Sequence, residues 1–401
     1  MVRAPMTRNS PPFALTVAVG LIAAAGCGGT VVGSGVAAGT SNPCTGGNAL
    51  PTGVLATGQH MPSGLVVDCA NVYWINLGTP PAPTGGKSSN PYTDGQVMKC
   101  AIAGCDNNPT VLASGRLHGL MLGPMPIALD ATSVYWDDIT PLSGDPTFVG
   151  HLFKCSISSC NDTPTVLAPG FAYALSVDGS SAYWTTYDQT QIMGCPVGGC
   201  ASPSLLASLP SNEFPTGIAV DGTNIYWAIQ LGGVMKCAIN GCSSSLTSLV
   251  AGLRDPTPGI TPPGGGPASA VSELGPIALD DTNVYVVDTY GSGLGRILKC
   301  AKSGCNNSPT TLASGLSGAT GVAVDANNVY WTEAGDSVVA GQMLAGAGRV
   351  AKCAVSGCND SPTVIAANQD GPTGIAVDAT HVYWATYGGN ATDGKISVAA
   401  K

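Results

Sequence analysis

Charged side chains are scarce in this sequence, and basic ones are the scarcest. Asp, Glu, Lys and Arg make up 10% of the 401 residues, against roughly a quarter of a typical soluble domain. Only 15 residues are basic and the net charge is −9, so the chain offers no basic patch for releasing counterions from a nucleic acid. The same shortage argues against electrostatic docking on anionic lipid. We therefore expect no nucleic-acid partner and no membrane contact through charge.

Long apolar runs are also missing, except for one near the N-terminus. Residues 13–25 are apolar and follow two basic residues, Arg3 and Arg8, which is the pattern of an export signal. The run is shorter than the roughly 20 residues that a transmembrane helix needs. The sequence therefore predicts a signal peptide over 1–26 and an exported protein.

The residues after this run predict lipidation. Ala24-Ala25-Gly26-Cys27 resembles the bacterial lipobox, although Leu is usual where Ala24 stands. We expect Cys27 to carry lipid and 27–43 to form a flexible Gly/Ser-rich tether to the cell envelope. The alternative is ordinary cleavage, which would leave a free secreted protein.

Recognisable catalytic patterns are missing as well. The sequence contains no Ser-His-Asp, His-Glu-x-x-His or phosphate-loop pattern. Its four histidines fall at unrelated positions: His60, His118, His151 and His381. We therefore expect no enzyme activity and no cofactor, with Ca²⁺ as the one ion to consider.

What the sequence does contain is a repeat. Leu65-Val66-Val67-Asp68, three more residues and then Val72-Tyr73-Trp74 return six more times at intervals of roughly 43 to 62 residues, a spacing typical of propeller blades. The Trp is replaced once, by Val286. The repeated aspartates are Asp68, Asp130, Asp178, Asp221, Asp280, Asp325 and Asp378.

Each copy of the repeat predicts four strands. A run of small apolar residues such as 217–220 suits an inner strand, and the Val-Tyr-Trp phrase suits the second strand. Residues 296–300 and 308–313 illustrate the third and fourth strands. The last copy ends after its third strand, whereas residues 50–56 match a fourth strand with no strands before it. The sequence therefore predicts an all-β, seven-bladed β-propeller whose last blade is completed by an N-terminal strand.

The repeat also resembles a known family. Gly374-Ile375-Ala376-Val377-Asp378 with Val382-Tyr383-Trp384 is similar to the repeat of YWTD and NHL-type propellers, and with the export signal it suggests an exported bacterial lipoprotein of that kind. The resemblance runs from about residue 50 to the end, within a propeller domain that we place at 44–401. The acid that closes the YWTD phrase is mostly missing, and YWTD rings usually have six blades. Receptor-type ligand contacts therefore cannot be transferred to this chain.

Twelve of the 15 cysteines form six pairs of one spacing, Cys-x-x-x-Gly-Cys, with Ser159 as the one exception to Gly. We expect each pair to flank a four-residue hairpin loop between the third and fourth strands, directly opposite one another and about 5 Å apart. In an exported protein we expect six disulfides; zinc is disfavoured because each pair lies on a different blade. The pairs are Cys100/Cys105, Cys155/Cys160, Cys195/Cys200, Cys237/Cys242, Cys300/Cys305 and Cys353/Cys358.

Two further cysteines are left besides Cys27. Cys44 precedes the closing strand, and Cys69 lies in the first Asp-x-x-x turn. In a four-stranded blade, the first and third turns lie on the same face. We therefore predict a Cys44–Cys69 disulfide that joins the N-terminal strand to blade 1.

The most regular polar and aromatic residues have structural explanations. A ring of seven aspartates could suggest calcium or catalysis, but an Asp that forms a turn is what each repeat requires. The six Trp residues could suggest a sugar-binding platform, but their position in the middle of a strand favours packing between blades. We expect both sets to be scaffold.

Candidate binding residues lie just after the Val-Tyr-Trp strand. The connections there and between blades vary most, over 75–95, 137–150, 252–275 and 332–348, and loops on a rigid scaffold commonly carry binding. Near the ring axis such groups could bind a cation or a polyol; the alternative is that they are solvated loop residues. The candidates are Asp137, Asp138, Tyr187, Asp188, Asp288, Tyr290, Glu333 and Tyr387.

Three functions are compatible with these observations. We favour a monomeric, envelope-tethered binding or scaffold module that presents its loops to a protein or polysaccharide ligand. The first alternative is a metal-dependent hydrolase of the lactonase or gluconolactonase type, which propellers of related shape support. The second is a purely structural component of the envelope.

Overall fold

The computed structural model confirms the seven-bladed β-propeller. Seven four-stranded antiparallel sheets form the ring, each with its strands in the order first, second, third, fourth. The structure describes residues 52–79, 92–118, 125–138, 150–186, 190–230, 232–253, 274–288, 295–335, 338–339, 342–343, 346–390 and 392–401. The predicted signal peptide, tether, Cys27 and Cys44 lie outside these residues.

Blades 1 to 4 follow one another along the chain. The strands of blade 1 are Pro62–Val67, Asn71–Asn76, Tyr92–Ala101 and Thr110–His118. Those of blade 2 are Ile127–Leu129, Ser133–Asp138, His151–Ser156 and Thr165–Pro169. Those of blade 3 are Ala174–Val177, Ser181–Thr186, Gln191–Pro196 and Ser204–Ser208. Those of blade 4 are Pro215–Val220, Asn224–Ile229, Gly233–Ala238 and Thr247–Val250.

Blades 5 to 7 complete the ring. The strands of blade 5 are Leu274–Leu279, Asn283–Asp288, Gly295–Ala301 and Thr310–Leu316. Those of blade 6 are Ala319–Val324, Asn328–Glu333, Gly348–Ala354 and Thr363–Gln369, with a small ribbon of Val338–Val339 and Gln342–Met343 between the second and third. Those of blade 7 are Pro372–Val377, His381–Thr386, Gly394–Ala400 and the N-terminal Gly53–Gln59.

The last blade is closed as the sequence predicts. Gly53–Gln59 pairs antiparallel with Gly394–Ala400, with Val54 opposite Ser397 and Gln59 opposite Gly394. Because one sheet contains both ends of the chain, the ring cannot open at its termini without breaking strand pairing.

Several inner strands have a glycine where neighbouring blades approach closely around the axis. A Cβ added to Gly64 would lie 1.9 Å from the Met125 carbonyl oxygen, and one added to Gly217 would lie 2.6 Å from that of Gly275. Any side chain at these glycines would therefore separate the blades. Hydroxyl groups nearby join the blades instead, as where Thr216 Oγ1 donates to the Leu274 carbonyl oxygen at 2.7 Å.

The tryptophans and tyrosines of the second strands fill the space between blades. Trp74, Trp136, Trp227 and Trp331 are fully buried in the apolar core, which confirms that they pack between blades. In the described residues, the only helix is a single turn, Cys242–Ser245, in the connection between the third and fourth strands of blade 4. None of the described helices has the length and apolar character needed to cross a membrane.

Candidate functional site

The alternating strands give the ring two different faces. The turns between the first and second strands, and the cysteine hairpins between the third and fourth, lie on one face, which we call the hairpin face. The connections between the second and third strands, and between blades, lie on the other, which we call the loop face. The second strands end at the loop face with Asn76, Asp138, Thr186, Ile229, Asp288, Glu333 and Thr386.

The repeated aspartates organise the hairpin face. In blade 5, Asp280 Oδ1 accepts hydrogen bonds from the Thr282 and Asn283 amides at 2.7 and 2.6 Å, and Oδ2 accepts one from the Tyr285 hydroxyl at 2.6 Å. Each blade repeats this arrangement, with Tyr–Asp distances of 2.5 to 3.0 Å. The prediction that these aspartates form turns is confirmed.

These hydrogen bonds shift the pKa values of both partners. Burial alone would raise the pKa of Asp280, but the Tyr285 hydroxyl and the neighbouring amides hold it below its usual range. Burial and the charge of Asp178 raise the pKa of Tyr183 to about 12. The turn therefore holds an ionised Asp against a neutral Tyr, with the lone pairs used inside the scaffold.

The six cysteine pairs also belong to the hairpin face. Each pair is joined by a disulfide, with Cα–Cα distances of 4.8 to 5.9 Å. The bridges are Cys100–Cys105, Cys155–Cys160, Cys195–Cys200, Cys237–Cys242, Cys300–Cys305 and Cys353–Cys358. Cys69 is also disulfide-bonded; its predicted partner, Cys44, lies outside the described residues, so the Cys44–Cys69 pairing stays a prediction.

The second cysteine of each pair does not lie on the fourth strand, so the expectation of two directly opposed strand residues is wrong. In blade 1 the third strand ends at Ala101, one residue after Cys100, and the fourth begins only at Thr110. Cys242 begins the single-turn helix of blade 4. The other second cysteines lie in the connection, outside any strand: Cys105, Cys160, Cys200, Cys305 and Cys358.

The reason is that the connection consists of two successive turns rather than one hairpin loop. In blade 1 the Gly104 amide donates to the Ala101 carbonyl oxygen at 2.9 Å, which closes the first turn. The Asn108 amide donates to the Cys105 carbonyl oxygen at 2.8 Å, which closes the second. Each disulfide therefore joins the end of the third strand to the connection that follows it.

A lysine just before the first cysteine of a pair joins neighbouring blades, which the sequence analysis missed. Lys99 Nζ donates to the Ile157 carbonyl oxygen of blade 2 at 2.8 Å, and Lys299 Nζ to that of Val355 in blade 6 at 2.8 Å. Lys154 and Lys236 do the same. The periodic Lys-Cys phrase was visible in the sequence, but its acceptor lies one blade away, 56 to 66 residues along the chain in three of these contacts.

A second inter-blade contact uses an Asn or Asp two residues after the second cysteine of a pair. Asp162 accepts hydrogen bonds from the Ser114 amide and hydroxyl of blade 1, both at 2.7 Å. Asn107 accepts from the Thr57 amide at 2.6 Å, across the boundary between blades 7 and 1. The backbone at both acceptors is left-handed, a conformation in which Asn and Asp are enriched. The polar groups of this face therefore serve mainly to hold the scaffold together.

The acids of the loop face are buried strand ends, so the interpretation of these groups as solvated loop residues is wrong for them. Asp137, Asp138, Asp288 and Glu333 are at most 2% exposed. All four lie on second strands, one layer out from the axis. A carboxylate at such a position requires a partner, because burial disfavours its charge.

Arginines supply partners for two of these acids. Arg296 Nε donates to Asp288 Oδ2 at 3.0 Å, and Arg349 Nε to Glu333 Oε1 at 2.7 Å. Each arginine stands directly opposite its acid in the strand pairing. Counting outward from the repeat motif would have revealed these pairs in the sequence. Glu333 also accepts from the Ser317 amide at 3.1 Å.

Asp138 has a partner from a different blade. Arg116 Nη1, on the outer strand of blade 1, lies 3.5 Å from Asp138 Oδ2. The guanidinium also lies over the Phe153 ring at 5.6 Å from its centroid. His151 stands opposite Asp138 in the strand pairing. No local sequence pattern could bring Arg116 to this group.

Asp137 points to the other side of its strand and differs from the remaining acids. It accepts a hydrogen bond from the Ala172 amide, just before blade 3, at 3.2 Å. Burial raises its pKa well above the usual range, and the nearby charge of Asp138 adds to the shift. Burial between blades 2 and 3 therefore disfavours the charged form of Asp137.

The other candidates do not extend this set. Tyr387 is partly buried and donates its backbone amide to the Gly371 carbonyl oxygen at 3.1 Å; Tyr187, Asp188 and Tyr290 lie outside the described residues. Within those residues, no three His, Cys, Asp or Glu side chains come together in a group that could hold a metal ion. Asp137 and Asp138 share blade 2, and the other described candidates lie on blades 5, 6 and 7, so the described candidates form no common centre at the axis.

Comparisons with known proteins agree on the fold. No protein-family model matches the chain, and no curated protein matches it in sequence. The WD40 β-propeller domain of Doa1 is 11% identical, with 86% of this chain and 95% of that chain covered and a TM-score of 0.51. Virginiamycin B lyase from Staphylococcus aureus is 12% identical, with 87% and 98% covered and a TM-score of 0.50.

A nidogen/laminin complex also contains a similar chain, at 13% identity, with 78% of this chain and 96% of that chain covered and a TM-score of 0.45. At such low identities the Doa1 and virginiamycin B lyase matches support the β-propeller fold alone. The same fold supports binding modules and enzymes, so the function has to be argued from the two faces.

Proposed function

We propose that this propeller is a binding or scaffold module of the cell envelope that engages its ligand through the loop face. The observation that carries the proposal is the difference between the faces. On the hairpin face, turns, disulfides and inter-blade bonds use the polar groups internally. The loop face carries the longest connections between strands, and a rigid ring presenting variable loops is a common design for binding.

The charges of the loop face favour a ligand that is not strongly charged. Asp138, Asp288 and Glu333 are each neutralised by an arginine. Burial raises the pKa of Asp137 well above its usual range, which disfavours the charge of that carboxyl group. A highly charged ligand would therefore meet no excess of opposite charge at these strand ends.

The test is affinity capture from envelope extracts with the full chain as bait. The loop variant replaces residues 336–345 of blade 6 with a short Gly-Ser connection. The matched control is Asp281→Ala, a surface change in an exposed turn of the hairpin face. We expect captured material to be lost with the loop variant and kept with the control. Equal capture by all three proteins would contradict a role for this loop.

We also propose that the chain reaches the envelope as a lipoprotein of the YWTD/NHL-like propeller type, with 1–26 as its signal peptide and Cys27 as the acylated residue. The support is the lipobox-like sequence before Cys27 and the Gly-rich segment after it. Metabolic labelling with a fatty acid in a bacterial host tests this proposal. Label on the parent chain and none on Cys27→Ala is the expected result, whereas secretion of the unlabelled parent would overturn it.

A further inference from the structure

One position of the outer strands differs between blades in an informative way. Gln59, Arg116 and Gln369 occupy equivalent positions in their blades. Each lies three residues after an alanine that is paired with the third strand. Each also stands opposite a glycine of that strand. This position borders a Trp at the boundary between blades.

Where the residue is glutamine, it accepts a hydrogen bond from that Trp. Gln59 Oε1 accepts from Trp74 Nε1 at 3.2 Å, and Gln369 Oε1 accepts from Trp384 Nε1 at 2.9 Å. Arg116 cannot replace them, because a guanidinium has five donors and no acceptor. The boundary between blades 1 and 2 therefore has a donor where the glutamine boundaries have an acceptor.

Two buried groups lie at this boundary, Trp136 Nε1 and His151 Nδ1. Within the described part of the chain, neither Trp136 Nε1 nor His151 Nδ1 makes a hydrogen bond. Trp136 is fully buried and His151 is 7% exposed. An unsatisfied buried donor or acceptor is costly, and natural proteins keep few of them.

The unpartnered groups and the Arg116–Asp138 pair border the same place. Asp138 follows Trp136 by two residues, the spacing at which Trp331 Nε1 donates to Glu333 Oε1 at 2.8 Å in blade 6. His151 is paired opposite Asp138. Phe153 is stacked on Trp136 with ring centroids 6.1 Å apart, and its centroid lies 6.3 Å from that of His151.

The other unpartnered indoles lack this polar surrounding. Trp184 and Trp227 also have Nε1 atoms without partners in the described residues. The residues equivalent to Gln59 at their boundaries are Phe171 and Pro210, which offer no side-chain hydrogen bond. Among these three boundaries, the one between blades 1 and 2 combines an unpartnered indole with an ion pair and an imidazole.

We propose that Trp136, His151, Asp138 and Arg116 form a binding site for a neutral sugar or polyol, which deepens the proposed function by naming the ligand class. The ion pair has no net charge, which suits a neutral ligand. The site offers donors from Trp136 and Arg116 and an imidazole nitrogen of His151 that can donate or accept. Hydroxyl groups both donate and accept, so a polyol can satisfy this mixed set.

The route into the site passes Arg116. Its side chain retains 16% exposure, whereas the Asp138 side chain has none. A ligand must therefore displace the guanidinium outward to reach the buried groups. Because the long arginine side chain can move without breaking strand pairing, the site can open while the blades stay in place.

The test follows indole resonances in the ¹⁵N-Trp-labelled full chain during titration with glucose, mannose, N-acetylglucosamine and cellobiose. Trp136→Phe identifies the Trp136 resonance, and the Trp331 resonance is the internal control because its N–H is already bonded to Glu333. We expect a saturable shift of the Trp136 resonance with at least one sugar, and none for Trp331.

Arg116→Gln supplies the decisive variant. It places at this boundary the residue found at Gln59 and Gln369, so the indole of Trp136 gains an internal acceptor while the buried Asp138 loses its arginine. Circular dichroism and denaturant unfolding therefore accompany the titration, and binding is compared only for folded variant protein. We expect this variant to bind the sugar at least roughly tenfold more weakly. Sugar binding unchanged in Arg116→Gln would overturn the proposal.

Two further outcomes would also overturn it. One is a Trp136 resonance that none of the sugars moves, since a bound water would then explain the unpartnered groups. The other is a resonance that moves with sodium sulfate or acetate and with no sugar, which would make the ligand an anion. If envelope capture depends on the 336–345 loop and persists in Arg116→Gln, the proposed function stands and only the sugar site is contradicted.

Discussion

The hairpin face and the loop face have the same sevenfold origin but use their polar residues differently. On the hairpin face, each Asp bonds two backbone amides and a tyrosine, and lysines and Asx residues bond the adjacent blade. On the loop face, the equivalent strand ends differ from blade to blade, from Ile229 to Asp138 and Glu333. One face therefore repeats a structural solution, whereas the other has diverged.

The difference teaches where binding can evolve in such a ring. Residues that satisfy backbone groups in every blade cannot change without destabilising the fold. Side chains at the ends of the second strands are not needed to satisfy backbone groups, because the backbone there is already paired with both neighbouring strands. Side chains there can become acids, arginines or apolar residues, and this freedom is what ligand recognition requires.

The largest effect is expected from removing one turn aspartate. Asp280→Ala leaves two amides and the Tyr285 hydroxyl without their acceptor, and should lower the free energy of unfolding by about 3 kcal/mol. The matched control is Asp281→Ala in the same turn, which should change it by less than about 0.5 kcal/mol. Denaturant unfolding measures both. Equal effects of the two substitutions would show that the turn carboxylate is not special.

A disulfide of the hairpin face should contribute less. Replacing both Cys300 and Cys305 with serine opens a short loop, for which chain entropy predicts a loss of about 2 kcal/mol. The mutant should unfold at lower denaturant concentration than the parent and should no longer respond to reductant at this hairpin. If loss of this pair leaves the denaturant midpoint of unfolding unchanged, the hairpin is stabilised by its hydrogen bonds instead.

The two faces should respond to pH with opposite signs. The pKa of Asp280 is lowered in the folded state, so its stabilisation is present above its unfolded pKa and is lost as the pH falls through the folded value. The pKa of Asp137 is raised, so the folded state loses stability as the pH rises from the unfolded pKa towards that value. We therefore expect the melting temperature of Asp137→Asn to increase relative to that of the parent as the pH rises.

Asp280→Asn is the comparison for this pH experiment. The melting temperature of Asp280→Asn should lie below that of the parent, and this difference should shrink as the pH falls below about 4, where the unfolded chain binds protons at Asp. Melting temperatures from about pH 3 to pH 9 test both variants. The same pH trend for Asp137→Asn and Asp280→Asn would contradict a raised pKa of Asp137.

The smallest effect is expected from adding an inter-blade bond. Gly194 occupies the position of Lys99 and Lys154 in blade 3. Gly194→Lys should let Nζ reach the Ile239 carbonyl oxygen of blade 4 and stabilise the ring by about 0.5–1 kcal/mol. A Cβ at Gly194 would meet Leu206 Cδ1 at 3.0 Å, the end of a side chain that can move. Gly194→Met is the control for added volume, and a gain equal to that of Lys would assign the effect to packing.

Sequence periodicity was sufficient for the scaffold. The Asp-x-x-x-Val-Tyr-Trp phrase fixes two strands and the turn between them, and the paired cysteines mark the connection between the third and fourth strands. The unpaired fourth strand near residue 50 and the incomplete last copy together predicted the closure, which the pairing of Gly53–Gln59 with Gly394–Ala400 confirms. These features are local, so they can be read without knowing which blade faces which.

The geometry of the cysteine connections was predicted less well. The spacing alone suggested one hairpin loop with Cys100 opposite Cys105, and the same for Cys353 and Cys358. The structure instead continues past the second cysteine through left-handed residues, Asp106 and Asn107 in blade 1, before the fourth strand begins. The Asx residues that follow the second cysteine were the signal for this additional turn.

The candidate site could be predicted only in part. The sequence indicated Asp138 and Glu333 because they follow the repeated phrase, and it indicated Asp137 for the same reason. It assigned these acids to solvated loops as one alternative, whereas the structure buries them at strand ends. Arg116 and His151 were missed because they come from other strands, 22 residues before and 13 residues after Asp138.

The sequence by itself determined the number of blades, their strands, the turns and which cysteines pair within a blade, because each depends on contacts within about 50 residues that every repeat contains. Only the tertiary structure decided which polar groups remain unpartnered. That outcome depends on contacts between blades, where Gln59, Arg116 and Gln369 meet the groups of the adjoining repeat. The repeat produces the two faces, and the contacts between blades decide which of their polar groups are paired.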